Sequence, residues 1–192
     1  FTIQKGANLF QLHNSYIITS VKSGLMILDQ QFAHERILFE KFNKSLEEKN
    51  GHVQQFLFPE TIDLSASDFT LVRELEHEIK SLGFTFEEFG KNTIALNGVP
   101  SISNYTSGKE LFLGVLEDYK RNKAEFSYNK KENIARAMAK NAAIKRERTL
   151  SKEEMTSLID RLFACDNPNY SPSGEKTFYV LEISNIERLF NK

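Results

Sequence analysis

Cysteine is nearly absent: Cys165 is the only one in 192 residues. That excludes a disulfide framework, and with no partner at Cys-x-x-Cys spacing it excludes a cysteine-rich zinc module. A cytoplasmic compartment is the default expectation. Tryptophan is missing altogether, so the 16 phenylalanines are expected to dominate the core. No apolar run approaches the ~18–20 residues that cross a bilayer. No charged segment followed by an apolar one opens the chain, so neither a membrane partner nor a signal peptide is expected. The abrupt opening "FTIQKGANLF" reads as a segment of a longer protein. An excess of one charge sign is also lacking, with 25 Lys and Arg against 26 Asp and Glu. Nothing global therefore points to nucleic acid. Phosphate loops, Rossmann glycines, kinase signatures and a nucleophile elbow are absent as well.

What is present is an alternation of periods. "LFQLHN" and "YIITSV" are rich in aromatic and β-branched residues, "KSG" supplies a turn, and "LMILD" is a wholly apolar strand ending in an acid. After Asp29 the spacing of Phe32, Ile37, Leu38 and Phe42 predicts a helix that stops near "EEKNG". "VQQFLFPETIDLS" reads as a strand broken by Pro59. One long helix is predicted from Asp68 to Leu82, then strands at Phe84–Phe89 and Thr93–Val99, with "SISNYTSGKE" as a loop. Helices follow at Gly108–Arg121 and Lys131–Lys145. Ser151 with Glu154 forms a capping box, stapled by Leu150 and Met155. A helix ending near Cys165, a turn-rich loop, a strand in "TFYVLEIS" and a last helix capped by Ser184 and Glu187 complete the chain. The class is α+β. Two subdomains are expected, each a small sheet with helices. Residues 1–50 and 148–192 form the outer one, and 51–147 are inserted in it.

Three stretches carry candidate chemistry. In "ILDQQFAHERILFEKF", Asp29, Glu35 and Glu40 gather around a helix start. They are either dipole-complementing acids or the remnant of a cation site. "HERIL" is not the zinc signature, because Leu38 stands where the second His belongs. A hard cation on Asp29 and Glu35 stays open at this point. In "QQFLFP", Gln54, Phe56, Leu57 and Pro59 read either as an edge strand, with Phe56 and Phe58 on one face, or as an extended plug for a partner's apolar pocket. From Lys120 to Arg148, ten Lys or Arg stand against three Glu. That is either a solvated helix face or a stripe for salt-sensitive, sequence-independent DNA contact, with Lys140, Lys145, Arg146 and Arg148 as candidates.

"QLHNSYIITSVKSGLMILDQQFAHERILFE" (Gln11–Glu40) resembles the start of the C-terminal domain of the MutL family of DNA mismatch-repair proteins. The likeness continues through "QQFLFP", "AAIKRERTLSKEEMTSLIDRLFAC", "NPNYSPSG" and "IERLF". It implies a homodimerisation domain whose outer segments pair and whose middle segment is regulatory. It also implies an N-terminal ATPase, with ATP and Mg, elsewhere in the full-length protein. Partners implied are the replication sliding clamp through Gln54, Phe56, Leu57 and Pro59, the mismatch-recognition protein MutS, and DNA. The location implied is cytoplasmic, at the bacterial nucleoid.

Many members of this family nick DNA through metals on an Asp-Gln-His-Ala-x2-Glu-x4-Glu motif. This chain keeps Asp29, Gln30, Glu35 and Glu40, but has Gln31 for the His and Phe32 for the Ala. Lys140 takes the place of a family Cys. Ser171 and Ser173 replace the Cys and His of the Cys-Pro-His-Gly-Arg-Pro segment, and Glu175 replaces its Arg. Four ligand-type positions are thus changed together, which implies a degenerate endonuclease site without Zn or Mn. The alternative is a metal-dependent nicking domain with a rearranged site on Asp29, Glu35 and Glu40.

Overall fold

The computed structural model describes residues 8–102, 107–125 and 129–190. The predicted loop at "SISNYTSGKE" falls partly outside them. Strands β1 (Phe10–Leu12), β2 (Tyr16–Val21) and β3 (Gly24–Asp29) precede helix α1 (Gln30–Glu48). Strand β4 (Val53–Asp63), helices α2 (Ala66–Glu74) and α3 (Glu76–Ser81), strands β5 (Thr85–Glu88) and β6 (Thr93–Pro100), and helices α4 (Gly108–Glu125) and α5 (Lys130–Ala142) follow. Helix α6 (Lys152–Phe163), strand β7 (Phe178–Glu182) and helix α7 (Ile183–Leu189) end the described chain. The class is α+β, with one four-stranded and one three-stranded antiparallel sheet. The chain divides into two units, Phe1–Leu38 with Ala143–Lys192 and Phe39–Ala142. The division falls inside α1.

In the first unit the strand order is β1-β2-β3-β7. Side chains alternate between faces along each strand, so the register sorts them. Ile17, Leu28 and Phe178 share one face, with Met26 and Val180 beside them. That face packs on Ala33 and Ile37 of α1 and on Met155, Leu158, Ile159 and Leu162 of α6. The capping box starts α6 as the sequence predicts: Ser151 Oγ accepts the Glu154 N–H, and the Glu154 carboxylate accepts the Ser151 N–H.

The second unit has strand order β4-β6-β5. Phenylalanine builds its core: Phe42, Phe84 and Phe112 are fully buried, and Phe84 meets Phe112 edge-on at 5.4 Å. The first unit's core is instead aliphatic, with Phe163 and Phe178 at its margin.

Three sequence expectations need correcting. The predicted helix from Asp68 to Leu82 is two helices, divided at Leu75 (φ −100°, ψ 4°). Val72, Leu75, Ile79 and Leu82 keep one apolar spacing across the break, so periodicity could not show it. The break leaves the Glu74 carbonyl to accept from Lys130 Nζ. Pro59 does not end β4. A register shift between Gln55 and Glu60 bulges the chain outward there, which separates Phe56 from Phe58. Finally, Ser184 does not cap α7. Strand β7 runs straight into the helix, and the Ile183 N–H is taken by the Ser23 carbonyl at 2.9 Å.

Candidate functional site

Asp29 ends β3 and opens α1. Its Oδ1 accepts the N–H groups of Gln31 and Phe32, both at 3.0 Å, and its Oδ2 lies 3.3 Å from Arg146. The carboxylate therefore caps the helix and anchors the segment after α5. The Arg146 guanidinium also stands 5.5 Å from the Phe32 ring.

Gln30, fully buried, has a role that sequence reading missed. Its Nε2 donates to the carbonyls of Asn14 (2.7 Å), Lys145 (3.2 Å) and Arg148 (3.2 Å), and its Oε1 accepts from Gln11 Nε2. Gln11 also donates to the Arg148 carbonyl and accepts the Leu150 N–H. Two glutamines thus tie the first hairpin, the start of α1 and the Lys145–Leu150 segment together. His34 is buried one turn on, and its Nδ1 accepts the Ile144 N–H at 3.0 Å. The bond puts this ring nitrogen to structural use.

Glu35 is buried in α1, and its Oε1 accepts a hydrogen bond from Ser173 Oγ at 3.2 Å. Ser171 Oγ is 2.8 Å from Ser173 Oγ and accepts the Glu175 N–H. Arg36 Nε donates to the Tyr170 carbonyl at 2.6 Å. The loop before β7 is thereby fastened to α1 by hydroxyls and backbone. Glu40 and Lys140 belong to the second unit, where Lys140 Nζ lies 3.4 Å from Asp118. Asn141 and Arg121 also engage Asp118. Among the described residues no three His, Cys, Asp or Glu side chains gather as a metal-ligand set. A neutral amide at Gln31 and serine hydroxyls at 171 and 173 are poor ligands for zinc.

The candidate clamp segment is the bulge of β4. Leu57 and Phe58 are 94% and 84% exposed, while Gln54 and Pro59 are also exposed. Phe56 points the other way, toward Gly108, where a Cβ would meet its ring at 2.5 Å. Of the remaining basic candidates, Arg148 pairs with Glu154 at 2.6 Å, and Lys145 is exposed with its carbonyl held by Gln30.

The other face of the four-stranded sheet is also apolar. The register aligns Phe10, Ile18, Ile27 and Tyr179 across all four strands. Leu12, Tyr16, Leu25 and Leu181 share their face. Phe10, Leu12 and Tyr179 are 52%, 43% and 52% exposed. Isolated exposed apolar residues are ordinary, but a contiguous row on one sheet face marks an association surface. No described helix is long and apolar enough to cross a membrane.

These features define an α+β domain whose four-stranded sheet has one packed apolar face and one apolar face that is exposed at its β1 and β7 edges, with Ile18 between them buried. The family model for the MutL C-terminal dimerisation domain matches residues 9–150. The chain belongs to that family. It is 35% identical to the DNA mismatch repair protein MutL of Bacteroides fragilis over 98% of this chain and 30% of that protein. To the MutL of Chlorobaculum tepidum it is also 35% identical, over 98% of this chain and 30% of that protein. To that of Flavobacterium psychrophilum it is 31% identical, over 95% of this chain and 30% of that protein. The chain thus spans about 30% of the length of these relatives.

Proposed function

We propose that the chain is the homodimerisation domain of a MutL-like DNA mismatch-repair protein, joining two copies through the open face of the β1-β2-β3-β7 sheet. The observation that carries this reading is the register-aligned row Phe10, Ile18, Ile27 and Tyr179, exposed at both sheet edges. Sedimentation velocity tests it. A dimer is expected at tens of micromolar, and a monomer there refutes the reading. Tyr179→Glu places a carboxylate on the joined face and will weaken the dimer roughly thirtyfold or more, the scale of a ~2 kcal/mol interface hot spot.

The domain is also read as a docking point for the sliding clamp. The projecting bulge supports this, with Leu57 as plug and Gln54 and Pro59 flanking it. Phe56, turned toward Gly108, braces the bulge instead. Gln54→Ala with Leu57→Ala will abolish capture of the clamp in a pull-down. Unchanged capture removes this partner.

The endonuclease site is read as degenerate. Its support is the use of Asp29 as a helix cap and of Glu35 as a hydrogen-bond acceptor for Ser173. Supercoiled plasmid will not be nicked in Mn²⁺, and melting of the domain will not move on addition of a chelator. Mn²⁺-dependent nicking that disappears in Glu35→Gln would instead establish the rearranged-site enzyme.

In the full-length protein this domain would act beside an N-terminal ATPase using ATP and Mg, with MutS as a partner, in the cytoplasm at the nucleoid. Weak DNA contact through Lys140, Lys145, Arg146 and Arg148 belongs to the same reading. Its signature is binding that falls steeply with salt.

A further inference from the structure

The three-stranded sheet has a free edge. In the order β4-β6-β5, strand β5 pairs on one side only. The ladder fixes which of its backbone groups are spent. The Phe89 N–H donates to the Thr93 carbonyl at 2.8 Å, and the register makes Glu87 and Ala95 the next hydrogen-bonded pair. Phe86 and Glu88 fall between these pairs, so their N–H and C=O groups point away from β6. No other partner takes these groups among the described residues. The side chains of Phe86 and Glu88 share a sheet face with Ile94 and Leu96, which are fully buried. Glu87 lies with Ala95 on the opposite, polar face and is exposed.

A cleft of about 230 Å³ adjoins this edge, between β5 and helices α2 and α3. Phe69, Val72, Phe86 and Ile94 give it an apolar lining. Its charged rim is largely matched: Arg73 pairs with Glu88 at 3.1 Å, and Lys80 pairs with Glu76 at 2.6 Å. Glu87 is the rim charge with no ion-pair partner among the described residues. The volume is below the ~300–1,000 Å³ of small-molecule sites and leaves room for a single large side chain.

We infer that this edge takes an extended segment of a partner protein, added to the sheet as a strand beside β5. The unused groups of Phe86 and Glu88 supply the backbone bonds. The segment alternates: a basic residue stands beside Glu87, and the apolar residues flanking it turn to the cleft. Charge complementarity selects this occupant. The two rim ion pairs cancel, and Glu87 is left to face a cation across the strands, where opposite charges stabilise a pair. A second copy is disfavoured, because antiparallel pairing of two β5 edges sets Glu87 and Glu88 against the same acids. Neither the proposed dimer face nor the β4 bulge takes part.

The test titrates the end-blocked peptide Thr-Leu-Lys-Leu-Thr into the 192-residue chain. Its pattern is the same in either strand direction. It will saturate with half-binding below about 1 mM, and the amide chemical shifts that move will be those of Phe86, Glu88 and their neighbours. Alanine at both leucines of the peptide will weaken binding roughly tenfold or more. Glu87→Lys will weaken the lysine peptide roughly threefold or more, the scale of an exposed ion pair, with an unchanged circular dichroism spectrum. A peptide with Glu in place of Lys will regain that loss on the variant, an exchange of preference that a merely structural Glu87 would not produce. No saturable binding up to about 1 mM, shifts confined to other parts of the chain, or equal affinity of both peptides for both proteins overturns the inference.

Discussion

Gln30→Ala will lower the unfolding free energy of the first unit by about 1–3 kcal/mol, more than Gln31→Ala beside it. Gln30 is fully buried and donates to the carbonyls of Asn14, Lys145 and Arg148. Alanine removes one donor from the Asn14 and Arg148 carbonyls, which keep bonds from the Glu147 N–H and Gln11 Nε2, and takes the Gln30 donor from the Lys145 carbonyl. Each buried polar group left unsatisfied costs ~1–3 kcal/mol. Gln31 is half-buried and its side chain makes none of these bonds. A substitution of that kind costs within about 0.5 kcal/mol. Gln30→Glu will be at least as damaging as alanine, since a carboxylate cannot donate to three carbonyls and adds buried charge. Urea denaturation followed by circular dichroism measures all three. A Gln30→Ala loss equal to that of Gln31→Ala would show that the glutamine pair does not hold the hairpin to the Lys145–Leu150 segment.

The contrast between these neighbours shows what was legible in the sequence. Period and capping chemistry are local, so the strands, α1 and the capping box at Ser151 could be read directly. Asp29 could also be read as a helix-start acid, because a cap needs only the next few residues. The partners of Gln30 were not legible, since they lie as far along the chain as Arg148 and no local pattern connects them. Bulges hide for a related reason. The period of β4 gave no sign that Gln55 and Glu60 stand opposite Gly98 and Leu96, and the resulting turn reverses Phe56 relative to Phe58. The open sheet face left one visible mark. "LMILD" is apolar at successive positions, whereas a strand with one wet face alternates. The fold covers Met26 and Leu28 and leaves Leu25 and Ile27 only half-buried. The unbroken run fits the proposed pairing of two copies through that face.

The same strand supplies the other large expected effect. Gly24→Ala will destabilise the domain by about 3 kcal/mol, at the upper end for overpacking, and will weaken the dimer with it. Gly24 pairs with Glu182 at the end of the β3–β7 ladder and has φ +152°. A Cβ there would lie 2.1 Å from the Leu181 carbonyl oxygen and 3.0 Å from both Glu182 Cα and Ile183 N. All three are backbone atoms, so no side-chain rotation relieves the clash. The end of β7 must move away, and the bond from Ile183 N–H to the Ser23 carbonyl goes with it. Gly174→Ala is the matched control. Its φ is +90° but nothing lies within 4 Å of the added methyl, so only the backbone strain of ~1–2 kcal/mol applies. At roughly 2–4 °C per kcal/mol for a chain of this size, Gly24→Ala will melt about 6–12 °C below the parent. It will also dissociate at higher concentration, while Gly174→Ala keeps parental dimer affinity. Equal melting and equal affinity for the two variants would mean that β7 and α7 are not held in place through Gly24.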